Sequence, residues 1–443
     1  MNTSALKIFI GTYGCQMNER DSEMIAAQLQ QIGHAIVDRE EAADVVILNT
    51  CSVRRQSEIK ALGKSSHLAK RKRNDPNFRI GIVGCMAESL GAEIFRLNPA
   101  IDFVIGPRRL HELPAILSDD GRRMLTGESN AESVQHDFNR RLGKSKCTAF
   151  LSIMSGCNMR CSYCIVPRTR GREVYRPMAD IIGEAEFLAA NGTKEITLLG
   201  QIVNNYGGRS ATGNGGTSPF VSLLEKLNEI DGIERIRYLS PHPAYFTDDL
   251  IMAHKNLEKL CPSVHLPIQS GSNRVLRDMG RAYGREDVLR IVEKLRANVD
   301  GIGISTDIIV GYVGETDDEF RETLSLFDDA GFNMAFVFKY SPRPGTRSAE
   351  MCDSVSEAEK DSRNAVLLLR VAEASGRYNH RYVGKTVSVL VEGHAKRGGH
   401  IMCGRTGTHV KVLFPASAGD IGKILPVRIV GSAMAVLYGA VCE

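Results

Sequence analysis

Cys157-Asn158-Met159-Arg160-Cys161-Ser162-Tyr163-Cys164 places three thiols within eight residues, directly after an apolar run, 149–154, that reads as a β-strand. Three thiolates can grip one [4Fe–4S] cluster, and a cluster that wants four ligands but receives three keeps one iron open to an exogenous ligand. Structural zinc is the competing reading. It takes four protein ligands in paired spacings, and no fourth partner lies nearby. Downstream the chain alternates strand and helix patterns, with strands near 149–154, 195–199, 236–240, 263–266, 303–310 and 334–338 and amphipathic segments between them. Six βα units predict a partial parallel barrel, so the fold class is α/β.

Upstream, an apolar strand, a small-residue turn containing Cys and a helical segment recur three times. Lys7 to Thr12 leads into Gly14-Cys15, Val45 to Asn49 into Thr50-Cys51, and Ile80 to Val83 into Gly84-Cys85. In an open parallel sheet the turns that follow strands share the carboxyl edge, where doubly wound folds bind ligands. Cys15, Cys51 and Cys85 are therefore expected to converge, although three buried packing cysteines would fit the same pattern. Residues 111–145 carry no strong period and read as a linker, and Gly207 to Gly216 reads as a mobile loop. After a helical stretch from Ser354 to Asn379, short β-rich runs such as Thr386 to Val391 and Val410 to Phe414 predict a small barrel of the kind that binds oligonucleotides. The expected domains are 5–120, an open parallel sheet; 143–378, the barrel; and 379–443, the small β-barrel.

The whole chain has 443 residues, 43% hydrophobic and 24% charged, a globular composition that excludes disordered and collagen-like classes. No run approaches the length of a membrane span and no signal-peptide pattern opens the chain, so the expected location is cytoplasmic, without a membrane partner. A net charge of +4 does not by itself demand nucleic acid, and local clusters must carry that argument. Lys70-Arg71-Lys72-Arg73 is one cluster; Arg168, Arg170, Arg172 and Arg176, just beyond the cysteine loop, form another that suits phosphate contact. Lys385, Lys396, Arg397, Arg405 and Lys411 with His394, His400 and His409 give the last domain a basic inventory. Phe414 is a stacking candidate there, against the blander reading of a core residue. Cys147, Cys261, Cys352, Cys403 and Cys442 fit no ligand pattern.

Cys-x3-Cys-x2-Cys opening a six-unit barrel resembles the radical S-adenosylmethionine (SAM) superfamily. The resemblance implies that the open iron chelates SAM and reduces it to release a 5′-deoxyadenosyl radical. Further stretches match superfamily motifs: Tyr163, Leu198-Leu199-Gly200-Gln201, Ser240-Pro241-His242-Pro243, Leu266-Pro267-Ile268-Gln269-Ser270-Gly271 and Asp307-Ile308-Ile309-Val310-Gly311. By that likeness Tyr163, Gln201, Ser240, Gln269 and Asp307 line the SAM site. Each lies at or near the carboxyl end of an expected strand, where barrel active sites are built.

Gly14-Cys15-Gln16-Met17-Asn18, Asn49-Thr50-Cys51-Ser52-Val53-Arg54 and Gly84-Cys85-Met86 resemble the cluster-binding segments of the methylthiotransferases, and the chain from about Arg381 is similar to the RNA-binding TRAM module. The form with Gln16, and the stretch Cys164 to Glu173, resemble the MiaB-type subfamily, which acts on N6-isopentenyladenosine-37 of tRNA. Departures from that pattern are Arg168, Ile202 and Tyr312-Val313. The resemblance implies two [4Fe–4S] clusters, one on Cys157, Cys161 and Cys164 and one on Cys15, Cys51 and Cys85. One SAM would methylate sulfur held at the second cluster and another would supply the radical that takes hydrogen from adenine C2. No catalytic side chain beyond the cluster ligands is assigned. Both clusters would face one cavity, with the first domain's carboxyl edge over the barrel's open top. Implied partners are tRNA carrying the isopentenylated adenosine, gripped by Arg168, Arg170, Arg172, Lys396 and Arg397, and a low-potential donor such as flavodoxin or ferredoxin. The sulfur donor is unknown, and the chain is expected to act as a monomer. Two alternatives stay open: a methylthiotransferase acting on threonylcarbamoyl-adenosine-37, or a non-catalytic RNA-binding iron–sulfur protein.

Overall fold

In a computed structural model describing residues 5–53, 55–118, 121–128, 147–208, 217–396 and 400–442, the chain forms two compact units. Unit 1 comprises 1–143 with the segments 155–159 and 164–174, and unit 2 comprises 144–154, 160–163 and 175–443.

Unit 1 is an open parallel sheet whose elements are β1 (Lys7–Tyr13), α1 (Gln16–Gln31), β2 (Ala35–Ile36), β3 (Val45–Thr50), α2 (Arg55–Asn74), β4 (Arg79–Gly84), α3 (Cys85–Leu90), α4 (Glu93–Leu97), β5 (Phe103–Ile105), α5 (Leu113–Leu117) and β6 (Arg123–Leu125). The strand order is β2-β1-β3-β4-β5-β6. Every residue of β3 is buried, as a central parallel strand covered on both faces must be. The order reverses between β1 and β3, the switch point at which doubly wound sheets open a crevice beyond their carboxyl ends. One expectation is corrected here. The supposed linker from 111 carries α5 and β6, and β6 extends the sheet beside β5. Arg123-Met124-Leu125 is too short and too exposed to show a strand's alternation.

Two short strands and a helix, β8 (Met154–Ser155), α6 (Val166–Arg170) and β9 (Val174–Tyr175), follow β7 (Thr148–Ser152) around the cysteine loop. Unit 2 continues with α7 (Met178–Ala190), β10 (Glu195–Leu199), α8 (Pro219–Asn228), β11 (Arg235–Tyr238), α9 (Asp248–Asn256), β12 (Ser263–His265), α10 (Asn273–Asp278), α11 (Arg285–Asn298), β13 (Gly303–Val310), α12 (Asp317–Ala330), β14 (Met334–Lys339) and α13 (Glu357–His380). The strands form two parallel three-stranded sheets, β7-β10-β11 and β12-β13-β14, and an isolated bridge pairs Ile236 of β11 with Leu260, shortly before β12. This is the expected partial (βα)6 barrel. Helix ends follow local chemistry: Thr316 caps α12 and exchanges hydrogen bonds with Glu319, and Gly331 closes the helix in the left-handed conformation.

The last segment closes into a five-stranded barrel ordered β15 (Thr386–His394), β16 (Ile401–Thr406), β17 (Lys411–Pro415), β19 (Val436–Val441) and β18 (Ile424–Ala433). Val389, Val391, Met402, Val412, Phe414, Val427, Ile429 and Leu437 fill it, so Phe414 is a core residue and not a stacking platform. The barrel is bolted to the core by two buried arginines of β11. Arg235 donates to the carbonyls of Arg405 and Ser388, and Arg237 to those of Gly407 and Thr406. The glycine-rich run expected as a loop falls, from residue 209 to 216, outside the described residues. No helix among the described residues is long and apolar enough to cross a membrane.

Candidate active site

In unit 1, β1, β3 and β4 end level with one another, Tyr13 pairing with Thr50 and Thr50 with Gly84. Cys51 and Cys85 follow their strands immediately and Cys15 follows by two residues. Neighbouring strands lie about 4.8 Å apart, so the register alone gathers the three cysteines at one edge. Two buried asparagines fix the arrangement. Asn18 Oδ1 accepts from the Cys15 N–H at 3.3 Å, while its amide donates to Asn49 Oδ1 and to the Thr50 carbonyl. Asn49 donates in turn to the Asn18 carbonyl at 2.8 Å. Gly84 has φ +93, and a Cβ there would stand 2.4 Å from Asn49 Oδ1 and 2.7 Å from the Thr50 carbonyl.

The thiols lie in reach of one another and of a cation. A hydrogen bond from Cys51 pulls the Cys15 pKa down to about 6, against burial. The same bond, then burial, pushes Cys51 up. Burial pushes Cys85 up too, opposed by the Arg170 charge. Arg170 is 6% exposed, and its Nη2 lies 2.6 Å from Asp21 Oδ2. Burial works against its charge, but Asp21 and Cys85 hold it cationic. This corrects the expectation that Arg170 grips RNA: it is sealed beside the first-domain thiols. Arg176 is likewise buried, its Nη1 2.8 Å from Glu184. Arg168 and Arg172 are exposed, as is Lys396, while Arg397 lies outside the described residues. In the run 70–73, Arg71 donates to the carbonyls of Glu40 and Ala43 and Lys72 pairs with Asp102, so half of that charge serves the fold.

The second set of thiols occupies the loop after β8. Gly156 has φ +80, and a Cβ there would stand 1.9 Å from the Arg172 carbonyl, so only glycine lets the loop begin this way. Cys157 donates its N–H to the Gly171 carbonyl at 3.0 Å, and its sulfur accepts from the Met159 N–H at 3.4 Å. Within unit 2, Cys161 Sγ accepts from Arg281 Nη1 at 3.3 Å. Burial opposes the charge of Arg281, but Tyr283, Tyr163 and Cys161 keep it protonated. Arg281 escaped the sequence reading, since its only signal was a Gly-Arg pair after α10.

Sulfurs preset to accept hydrogen bonds suit thiolates bound to iron, and a cation beside each set, Arg170 buried and Arg281 half-buried, offsets their charge. Ser52 Oγ, next to Cys51, is buried with no hydrogen-bond partner among the described residues. Among the described residues no three His, Cys, Asp or Glu side chains converge to the spacing of one bound ion, and a cubane spreads its thiolates over separate irons. Both donor sets fit.

The remaining candidates of unit 2 stand at strand ends or along the inner face. Only three non-glycine residues among those described have positive φ, and two are Ser240 (+60) and Gln269 (+72). Such strain persists where a site demands it. Gln269 clasps β13, donating its N–H to the Asp307 carbonyl and accepting from the Ile309 N–H. Gln201 Oε1 is buried with no hydrogen-bond partner among the described residues. Tyr163 and Ile309 pack on one cluster of Val275, Met279, Tyr312, Val313 and Tyr340, and Asp307 and Ser305 share the Ile309 face of β13. On that face His265 bridges Ser305 at 3.0 Å and Asp307 at 3.2 Å. Phe336, level with Asp307 on β14, is 46% exposed beside the His265 ring.

Comparison with known proteins identifies the segments of the chain. Residues 7–106 match the uncharacterized protein family UPF0004, 151–327 the radical SAM superfamily and 380–442 the TRAM domain. A tRNA-2-methylthio-N(6)-dimethylallyladenosine synthase of Opitutus terrae is 44% identical, with 98% of this chain and 97% of that protein covered. One of Akkermansia muciniphila is 42% identical, covering 98% and 99%. Among solved structures, the radical SAM methyltransferase TsrM of Kitasatospora setae aligns with a TM-score of 0.57 at 15% identity, covering 78% of this chain and 74% of TsrM, a likeness of fold. By sequence over nearly its whole length, the chain belongs to the radical SAM methylthiotransferases that convert N6-dimethylallyladenosine in tRNA to its 2-methylthio derivative.

Proposed function

We propose that Cys157, Cys161 and Cys164 hold the [4Fe–4S] cluster that binds SAM, and that Cys15, Cys51 and Cys85 hold a second one. When bound, the first cluster supplies the electron that cleaves SAM and the second supplies sulfur. Methylthiolation at adenine C2 meets a carbon without acidity or leaving group, so a radical carries the difficulty and the protein supplies position.

In this reading the strained Ser240 and Gln269, with Tyr163, Gln201 and Asp307, orient SAM, and Arg281 fixes the Cys161 sulfur. Phe336 and Phe338, exposed on β14, offer apolar contact for the isopentenyl group. Arg168, Arg172, Lys396 and Arg397 take tRNA phosphates. A low-potential flavodoxin or ferredoxin supplies electrons, and the chain works as a monomer in the cytoplasm. The observation that carries the second cluster is the level ending of β1, β3 and β4, with a cysteine after each, at the switch point of the sheet.

Rebuilding the clusters anaerobically tests the assignment. About eight irons per chain are expected, falling to about four when Cys157, Cys161 and Cys164 become Ala. Unchanged iron in that variant overturns it. Supplying tRNA with isopentenyladenosine or, separately, threonylcarbamoyl-adenosine tests the subfamily, with product expected only from the first.

A further inference from the structure

Arg170 is a buried cation with a geometry that neither RNA contact nor packing explains. It closes α6, the five-residue helix that begins two residues after Cys164, and both residues belong to unit 1. At about 1.5 Å per residue, the four steps of α6 from Val166 to Arg170 rise by roughly 6 Å, and Ile165 leads back from them to Cys164. α6 packs against α3, the helix that opens with Cys85. Gly171, just past α6, has φ +76 and lies so close to Arg108 that a Cβ would stand 2.7 Å from Nη1. Arg108 in turn reaches Glu88 of α3 at 3.3 Å, and Glu88 also accepts the Gly127 N–H at 2.9 Å. The guanidinium is therefore buried on the Asp21 carboxylate, on a helix packed against the one that opens with Cys85.

We propose that Arg170 is a positioning residue for the cluster on Cys15, Cys51 and Cys85: its buried charge raises that cluster's reduction potential, and α6 ties its place to Cys164. The inference rests on the two-cluster reading. A cation beside a cluster favours the reduced, more negative form, and hydrogen bonds to ligating sulfur act in the same direction. Asp21 sets how much of that charge the cluster feels.

The test uses the chain with Cys157, Cys161 and Cys164 replaced by Ala, rebuilt anaerobically so that only the second cluster is present. If this background binds no iron, the two-cluster reading fails, and that outcome is separate from those below. Removing Arg170 alone would strand the Asp21 carboxylate, so the diagnostic variant is Asp21→Asn/Arg170→Met, which removes both charges. Midpoint potential and electron paramagnetic resonance of the reduced cluster are read against the background. The double variant is expected to shift the midpoint downward, Asp21→Asn alone upward, and Arg170→Lys to stay close to the background. Loss of iron in the double variant with unchanged far-ultraviolet circular dichroism supports the same role. Unchanged potential, spectrum and iron in the double variant overturn it, as do shifts of one sign in both Asp21→Asn and the double variant.

Discussion

Cys157, Cys161 and Cys164 come from one eight-residue loop, whereas Cys15, Cys51 and Cys85 come from the ends of three neighbouring strands. The loop needs only local backbone geometry, a glycine at positive φ and a few hydrogen bonds, to present its sulfurs. The strand-end set exists only when the sheet is paired in register, because a slip of β1, β3 or β4 would move one sulfur away from the others. It is correspondingly better braced, by the Asn18–Asn49 pair, by Gly84 and by the Arg170–Asp21 ion pair. Spreading a site over long sequence distances costs ordering, and buried polar side chains supply the positional restraint.

The sharpest way to break this comparison is to delete each set separately. With Cys15, Cys51 and Cys85 all replaced by Ala, release of 5′-deoxyadenosine from SAM is expected to continue while methylthio product vanishes. With the loop cysteines replaced, both are expected to vanish. Product from either variant, measured by mass spectrometry of digested tRNA, would end the division of labour.

Next in size is the brace itself. Gly84→Ala forces a left-handed backbone and a Cβ into Asn49 and Thr50, and Asn49→Ala leaves the Asn18 amide short of a partner. Each is expected to cost about 1–3 kcal/mol of unfolding free energy in urea, and to lower the iron held at the strand-end set while sparing the loop set. Equal loss from both sets would show that the brace is general rather than local.

A smaller effect depends on pH and belongs to unit 2. Burial pushes the Glu315 carboxyl up to about 7 from its ordinary 4.5, only partly countered by the Gly311 N–H and Arg363. The folded state therefore holds a proton that the unfolded state has lost between those values. Unfolding free energy should decline as pH rises from about 4.5 to about 7 and level off above, by on the order of 3 kcal/mol from this group. Glu315→Gln should flatten that slope, and a slope retained in the variant would assign it elsewhere. Smallest is the RNA contact: Arg168→Ala and Arg172→Ala should each reduce the slope of log affinity against log salt by about 1, without changing cluster content.

The contrast between the two sets also marks what could be read in the chain. Thiols inside one loop, six strands with helices between them, and the β-rich runs that close the last barrel were all legible, because periodicity and short spacing are local properties. β6 was not, being three residues long. Arg170 was misread for a physical reason: a sequence shows that a charge is present but not which way the helix bearing it faces. Arg281 was invisible, since nothing near it in the chain announces a sulfur partner.

By itself, then, the amino-acid order determined the fold class, the family and the six cysteines proposed as ligands, because residue type and spacing carry that chemistry directly. Only the tertiary structure decided which cations serve sulfur and which meet solvent, that Ser240 and Gln269 are strained, and that Phe414 is core. Burial, register and side-chain direction arise from contacts between residues far apart in the chain, and no local pattern encodes them.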